Sequence, residues 1–203
     1  VAAGISVTVT GASLTAAAGS STNNYTLTQP TGVSASITAA PLVVTGQNTS
    51  SIYNGVMQTN ASANVSGLAS GETVTVTGYG SGMNVGTYAD NLVAAAGANT
   101  LLSNYAISYT NASLTVTPFQ LQFGNGHSGP QITATASNKV YDAGTVAAGG
   151  LSVTGLFASD SLTASSSGAL YDTANVGTGK TVSFGGISLS GTAQTLANYS
   201  LNS

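Results

Sequence analysis

Short runs in which apolar residues alternate with threonine or serine constrain the fold of this chain more than any other feature. In an extended strand every second side chain points to the same face, so each run has one apolar face and one face of hydroxyl groups. Threonine is β-branched and favours strands, so residue preference and periodicity agree. The clearest runs are Ser6–Thr10, Thr73–Thr77, Ser113–Thr117 and Thr181–Phe184. Each of them predicts a strand with one face on a core.

Glycine-rich segments separate these runs at short intervals. Examples are Gly78–Gly82 and Gly185–Gly186, where glycine supplies the positive φ angles that hairpins and bulges need. Short strands with frequent turns are typical of a sandwich or a barrel, and no segment shows a comparable helical period. We therefore predict an all-β fold.

Charged residues are almost absent from the chain. Two lysines and five acidic residues among 203 make 3% charged, against about 25% in an average soluble domain. A nucleic-acid interface needs a basic surface that displaces counterions, so we expect no nucleic-acid binding. The acidic residues and His127 lie far apart in the sequence, so we expect no enzyme and no metal or cofactor site. Asp142 precedes a glycine turn, and we interpret it as an Asx-type turn residue rather than a metal ligand.

The hydrophobic fraction of 42% raises the question of membrane insertion. A membrane-spanning helix needs about 18 or more apolar residues in a row, whereas glycine, serine or asparagine interrupts every Ala-rich stretch. We expect no membrane insertion. Val1–Thr10 starts in a strand-like alternation without a cationic, apolar leader, so we expect the chain to be a fragment of a longer protein.

Distant segments of the chain repeat one another. Val1–Leu14 aligns without a gap with Val176–Leu189, sharing valine, glycine and Ser-Leu positions. Downstream, Asn24–Leu27 has the pattern of Asn198–Leu201, and Asn104–Ile107 supplies a third copy. The repeat length of roughly 75 to 95 residues is that of a small β-sandwich. We therefore predict tandem, immunoglobulin-like β-sandwich repeat domains.

The front halves of the repeats also correspond. Ser51–Gly55 lies near the start of one repeat and Lys139–Gly144 near the start of the next. Val85–Thr87 likewise has the pattern of Val176–Thr178. These matches fix the register of the repeats relative to one another.

This register divides the chain into four segments. We predict that residues 1–40 are the C-terminal half of a repeat, 41–117 a complete repeat, 118–131 an edge strand and linker, and 132–203 a repeat without its last strand. The middle repeat closes on a strand, and Ile37–Pro41 has the closing place in the first repeat. A half repeat exposes an unpaired sheet edge, so its ends are expected to pack on neighbouring repeats or to exchange strands between molecules.

The motif Lys139–Asp142, followed by Val176–Val182 and Asn198–Leu201, resembles the YDG repeat of very large bacterial surface proteins. Residues 41–117 resemble the related MBG repeat. Such repeats occur in tandem in filamentous-haemagglutinin-like adhesins. The resemblance implies a non-enzymatic stalk or adhesive module that is secreted to the bacterial cell surface, with neighbouring repeats and a host or cell-surface receptor or glycan as partners. Motif positions carried by the resemblance are Tyr53, Tyr141, Asp142, Gly144, Val176 and Gly177.

Tyrosine recurs after asparagine late in each repeat, at Tyr25, Tyr105 and Tyr199. A repeated aromatic residue of this kind is predicted to fill the core, with its hydroxyl group capping a backbone group. The alternative is an aromatic face on which a ligand stacks. Tyr53 and Tyr141, at the front of their repeats, are interpreted in the same way.

A carbohydrate-binding module is the alternative function. It would use Tyr79, Tyr88 and Tyr109, which have no counterpart in every repeat and which we expect to be exposed. Exposed aromatic rings offer an apolar face together with a polar hydroxyl group, which suits contact with a ligand.

Overall fold

The computed structural model describes residues 1–124 and 126–201. Asn125, in the predicted linker, and Asn202 and Ser203, at the end of the predicted third repeat, lie outside the described residues. Strands make up 44% of the structure and helices 6%, which confirms the prediction of an all-β fold.

The secondary structure consists mainly of short strands. In chain order the strands are β1 (Ala2–Ser6), β2 (Ser34–Ile37), β3 (Ala40–Gly46), β4 (Thr49–Ile52), β5 (Gln58–Thr59), β6 (Ala63–Ser66), β7 (Val74–Thr77), β8 (Ser81–Gly82), β9 (Gly86–Ala89), β10 (Val93–Ala96), β11 (Tyr105–Thr110), β12 (Ser113–Thr117), β13 (Phe119–Phe123), β14 (Gln131–Ala136), β15 (Gly149–Thr154), β16 (Leu162–Ser165), β17 (Gly168–Tyr171), β18 (Val182–Gly185), β19 (Ser188–Gly191) and β20 (Tyr199–Leu201). The helical segments are α1 (Ala193–Asn198) and the 3₁₀ turns Thr22–Asn24 and Leu102–Asn104.

The chain divides into two compact units. Unit 1 consists of Val1–Thr45, Asn64–Thr77 and Val93–Thr110. Unit 2 consists of Gly46–Ala63, Gly78–Leu92 and Asn111–Ser203. The predicted middle repeat therefore contributes segments to both units, whereas the predicted third repeat belongs to unit 2 alone.

Unit 1 contains three small sheets. Strand β3 lies between β11 and β6, and β7 pairs with β10. Leu42 and Val44 of β3 are fully buried, as the alternation in this strand requires. The third sheet pairs β1 with β2. The sequence predicted a strand at Ser6–Thr10, but β1 covers Ala2–Ser6, the stretch over which β2 pairs with it. A register irregularity separates Ala2 from Ile5, and Gly4 between them has a φ of 64°, as in a bulge.

Unit 2 contains two sheets of three and four strands, together with strand pairs. In the first sheet β12 lies between β4, to which it is parallel, and β9, to which it is antiparallel. Its apolar residues Leu114 and Val116 are buried on one face, as the alternation predicts. The second sheet has the order β15-β14-β13-β20, and the pairs are β16–β19, β17–β18 and β5–β8.

Strand β13 corrects one prediction from the sequence. The segment 118–131 was expected to hold an edge strand, but β13 pairs with β20 through Phe119–Leu121 and with β14 through Gln122 and Phe123. It is an internal strand because both of its edges find distant partners. Its Leu121 is fully buried in the core of unit 2.

Helix α1 was not predicted from the sequence. Thr192 caps it, because its hydroxyl oxygen accepts a hydrogen bond from the N–H of Thr195 at 3.1 Å. This is a standard N-terminal capping arrangement. A helix of six residues is too short for a 3.6-residue period to become visible in the sequence.

Replacing Gly82 by alanine is expected to lower the free energy of unfolding by about 1–2 kcal/mol. A Cβ atom at Gly82 would lie 1.9 Å from Cζ of the Tyr88 ring, which packs over this glycine. Gly86 flanks the same ring, but a Cβ atom there would come no closer than 3.6 Å. Gly86→Ala is therefore the matched control in urea denaturation, and equal effects of the two substitutions would contradict the packing described here.

Candidate functional site

Four aromatic rings pack together at the centre of unit 2, and we call them the aromatic joint: Tyr53, Phe119, Phe157 and Tyr199. Tyr53 is 1% exposed. Its ring meets Tyr199 edge-on at 5.5 Å between centroids and Phe157 at 5.9 Å. Phe119 and Phe157 make a further edge contact at 5.1 Å. Such pairs contribute about 0.5–1.5 kcal/mol each beyond the burial of their area.

The carboxylate of Asp160 holds two hydroxyl groups of the aromatic joint. Tyr53 donates to Oδ2 at 2.7 Å and Tyr199 donates to the same oxygen at 2.9 Å. The Tyr199 hydroxyl oxygen also accepts a hydrogen bond from the N–H of Phe157 at 2.9 Å. Burial, followed by the hydrogen bond to Asp160, raises the pKa of Tyr53 to about 12. Burial likewise raises the pKa of Tyr199.

A buried asparagine extends the aromatic joint. Asn198 accepts a hydrogen bond from the N–H of Val85 at 2.9 Å and donates to Oδ1 of Asn84 at 3.0 Å. Residues of the predicted middle repeat thus contact residues of the C-terminal segment through rings, hydroxyl groups and amides. Within unit 2, these two parts of the chain share one core.

A buried carboxylate organises another part of unit 2. Asp90 is 4% exposed. It accepts hydrogen bonds from the N–H of Gly80 at 2.8 Å, from the N–H of Ala112 at 3.2 Å, and from the side-chain amide of Asn60 at 3.0 Å. Asn60 in turn accepts from the Thr49 hydroxyl and donates to the Gln47 carbonyl. These three donors are neutral N–H groups, and each of them belongs to a different segment of the chain. The Asp90 carboxylate therefore holds three chain segments together.

Sequence reasoning missed the Asp90 cluster. Its members Asn60, Gly80, Asp90 and Ala112 are far apart in the sequence and share no motif. The only available signal was an acidic residue directly after a strand, at the end of β9.

An open cleft of about 620 Å³ lies in the C-terminal segment, and we call it the C-terminal cleft. Its lining consists of residues 136–139, Tyr141, Tyr171, residues 173–180 and Val182. Both lysines of the chain lie there. Lys139 binds Asp142 at 2.8 Å and Lys180 binds Asp172 at 3.0 Å. The cleft therefore carries paired charges.

Each ion pair of the C-terminal cleft lowers the pKa of the carboxyl group that takes part in it. The hydrogen bond from Lys139 holds the pKa of the Asp142 carboxyl below its usual range, and Lys180 does the same for Asp172. Asp142 also accepts a hydrogen bond from the N–H of Gly144 at 2.9 Å, which is the geometry of an Asx turn. Near it, Val176 is 87% exposed, and Gly177 lines the same cleft.

The structure corrects the interpretation of two predicted core tyrosines. Tyr25 is 72% exposed and Tyr141 is 61% exposed, because neither ring is covered by packed neighbours as Tyr53 is. The structure places Tyr199 in the aromatic joint. Tyr105 is half-buried, its hydroxyl group accepting from the N–H of Ala69 at 3.0 Å and donating to Glu72.

Two of the three tyrosines proposed for carbohydrate contact are not exposed. Tyr79 and Tyr88 are half-buried, and the Tyr88 hydroxyl donates to the Asn84 carbonyl at 2.7 Å. This corrects the expectation that they offer free rings, since the Tyr88 ring packs over glycine and against the core. Tyr109, in unit 1, is exposed, with its hydroxyl oxygen accepting from the N–H of Ala94 at 3.2 Å.

Potential metal ligands do not cluster in the described part of the chain. In residues 1–124 and 126–201, no three or more histidine, cysteine or acidic side chains are grouped so that they could hold a metal ion. Among the described helices, none has the length and apolar character needed to cross a membrane.

The melting temperature is expected to stay nearly constant between pH 5 and 8. The chain has a single histidine, His127, and its side chain is exposed. Asp142 and Asp172 have lowered pKa values in the fold, so their contribution to stability is present above a pH of about 4 and is lost as the pH falls further. A steep shift of the calorimetric melting temperature between pH 5 and 8 would contradict this expectation.

Comparison with known proteins bears on the C-terminal segment. The family model of the YDG domain matches residues 130–203. No curated protein and no solved structure matches the chain. The matched range holds the Lys139–Asp142 motif, both walls of the C-terminal cleft, and Asp160 and Tyr199. Residues 130–203 are therefore a YDG domain, as that part of the resemblance implied.

Proposed function

We propose that this chain is a non-enzymatic repeat module of a secreted bacterial cell-surface adhesin, where it serves as a stalk or contact surface. The proposal includes the organisation expected from the sequence, with an MBG-like repeat at 41–117 followed by the YDG domain in tandem β-sandwiches. The observation that carries the proposal is the aromatic joint, through which the middle repeat and the YDG domain share a core in unit 2.

A stalk must transmit force from one repeat to the next without bending at each boundary. Interfaces between domains permit relative motion unless they are large and apolar. In the aromatic joint, Tyr53 of the middle repeat is enclosed by Phe157 and Tyr199 of the YDG domain and is fixed by a hydrogen bond to Asp160. This arrangement supports a stiff connection.

The scarcity of charge supports the same function. A sheet protein held by backbone hydrogen bonds and apolar burial needs few ion pairs, so its stability depends little on salt. A net charge of −3 gives weak self-repulsion, which permits contact with neighbouring chains, receptors or glycans. Both properties suit a protein exposed outside the cell.

Single-molecule stretching of the full chain tests the mechanical part of the proposal. We expect the segments of unit 2 to resist together, and we expect Asp160→Ala to lower the unfolding force because both tyrosine hydroxyl groups lose their acceptor. Asp142→Ala, at an exposed carboxyl group, is the matched control. An Asp160 variant with the same unfolding force as the control would overturn the stalk function.

Surface labelling of intact cells tests the proposed location of the protein. Antibodies raised against the chain are expected to label intact producing cells, and labelling of lysed cells alone would contradict a surface protein.

A glycan array tests the alternative function as a carbohydrate-binding module. The stalk function predicts no saturable binding on the array. Binding that is lost in Tyr109→Ala would instead support a carbohydrate-binding module.

A further inference from the structure

We propose that Asn54 is a self-modification site, at which the side-chain amide reacts with the backbone nitrogen of Gly55 and is lost as ammonia. The product at position 54 is aspartate or isoaspartate. This chemistry goes beyond the stalk function, rests on different residues and does not depend on that function.

The reaction consumes water and releases ammonia, with no oxidation or reduction. In the first step the Gly55 nitrogen gives its proton to solvent base and forms a bond to Cγ of Asn54. The bond from Cγ to Nδ2 breaks, and ammonia leaves with a proton from water, so that a five-membered succinimide ring remains. In the second step water opens the ring. Breaking the new bond gives aspartate, and breaking the former peptide bond gives isoaspartate.

The exposure of Asn54 and the glycine after it permit this reaction. Asn54 is exposed, so water reaches its amide. Gly55 has no side chain that would hinder the approach of its nitrogen. It has a φ of 77°, and a Cβ atom there would lie 2.6 Å from Cβ of Phe157. The fold therefore requires glycine directly after Asn54.

The turn also holds the amide of Asn54 close to the nitrogen of Gly55. Oδ1 of Asn54 accepts a hydrogen bond from the N–H of Val56 at 3.1 Å, which is the geometry of an Asx turn. This hydrogen bond closes a ring of atoms that contains both Cγ of Asn54 and the nitrogen of Gly55. Among the described residues, no hydrogen bond has the N–H of Gly55 as its donor, so no acceptor in the fold competes with solvent for its proton.

Two donors contact the oxygen that becomes negative during the reaction. When the Gly55 nitrogen bonds to Cγ, negative charge develops on Oδ1 of Asn54. Oδ1 accepts hydrogen bonds from the N–H of Val56 and from Nε2 of Gln58, the latter at 3.4 Å. Nε2 of Gln58 also donates to the carbonyl of Ile52 at 3.2 Å, and a carbonyl can only accept, which fixes the orientation of the Gln58 amide. Donors already in place at a developing charge lower the barrier.

The YDG domain shows that an aspartate fits such a turn. Asp142 follows Tyr141 as Asn54 follows Tyr53. The Asp142 carboxylate accepts a hydrogen bond from the N–H two residues further along the chain, at 2.9 Å, as the amide oxygen of Asn54 does. An aspartate formed at position 54 can therefore keep the turn. Isoaspartate instead adds a backbone atom next to Tyr53, a member of the aromatic joint.

Peptide mass spectrometry of the full chain tests the site without any substitution. The chain is kept in mildly alkaline buffer with and without urea, and the peptide that holds residue 54 is scored for loss of the amide and for isoaspartate. We expect the modification to be several-fold faster in the folded chain than in urea, because only the fold holds donors on Oδ1. Asn138, exposed but followed by lysine, should stay unmodified over the same time. A rate in the folded chain equal to or below the rate in urea would overturn the proposal.

Gln58→Leu tests the side-chain donor. The substitution removes the donor and keeps a similar size, so it should lower the rate in the folded chain several-fold and leave the rate in urea unchanged. Thr59→Val is the matched control, because Thr59 is the next residue, is exposed and makes no hydrogen bond to Asn54 among the described residues. Circular dichroism verifies that both variants are folded. Equal rates in the two folded variants would overturn the role assigned to Gln58.

Discussion

Asp90→Ala is expected to lower the free energy of unfolding of unit 2 by about 3 kcal/mol or more. The substitution removes the acceptor of the Gly80 and Ala112 N–H groups and of the Asn60 amide. Each buried donor left without a partner costs about 1–3 kcal/mol. Urea denaturation followed by circular dichroism, with hydrogen exchange at β9 and β12, measures the loss.

Asp90→Asn and Asp142→Ala are the controls for this experiment. Asparagine keeps the shape of the side chain but only one of its two acceptor oxygens, so an intermediate loss is expected. Asp142 is exposed, and its replacement should change little. A loss in Asp90→Ala as small as that in Asp142→Ala would show that the buried carboxylate does not hold these segments together.

Alkaline pH is expected to destabilise unit 2 through the aromatic joint. The pKa of Tyr53 is raised to about 12 in the fold from an ordinary value near 10. Between these values the unfolded chain has released the Tyr53 proton and the folded chain has kept it. Stability is thus fully present below pH 10 and falls as the pH rises toward 12, by up to about 3 kcal/mol from Tyr53. The raised pKa of Tyr199 acts in the same direction.

Tyr53→Phe isolates this effect from the titration of the other tyrosines. The variant keeps the ring and the Tyr199–Asp160 hydrogen bond but has no proton to lose at position 53. Urea midpoints measured from pH 8 to pH 12 should therefore fall less steeply in Tyr53→Phe than in the unmodified chain. Parallel curves for the two proteins would contradict the assigned cause.

The positions of strands were predictable from the sequence where one face of the strand is apolar and its location does not depend on the strand that pairs with it. Alternation located β7, β12 and β18 to within a residue or two. It misplaced β1, because the strand extends only where β2 pairs with it, from Ala2 opposite Ile37 to Ser6 opposite Ser34, and alternation does not show where a partner ends. It also made β13 an edge strand, because the pattern of one strand carries no information about neighbours that are distant in the sequence.

The aromatic joint and the Asp90 cluster were less predictable than the strands, because their members are also distant from one another in the sequence. Tyr53 and Asp160 are separated by 107 positions, and the donors to Asp90 come from three separate turns and strand ends. The motif positions in Lys139–Gly144 were identified, but their exposure was not. A sequence pattern indicates which residues correspond, whereas the burial of a residue depends on which other segments of the chain pack over it.

Hydrogen exchange of the full chain, followed by mass spectrometry, tests the central claim that β4 and β12, from the predicted middle repeat, share one core in unit 2 with the YDG domain. We predict that β4 and β12 exchange with the same opening free energy as β14 and β20, because units that open together are protected together. Asp160→Ala should lower the protection of all four strands by the same amount. Reduced protection confined to residues 130–201, with β4 and β12 unchanged, would contradict the account.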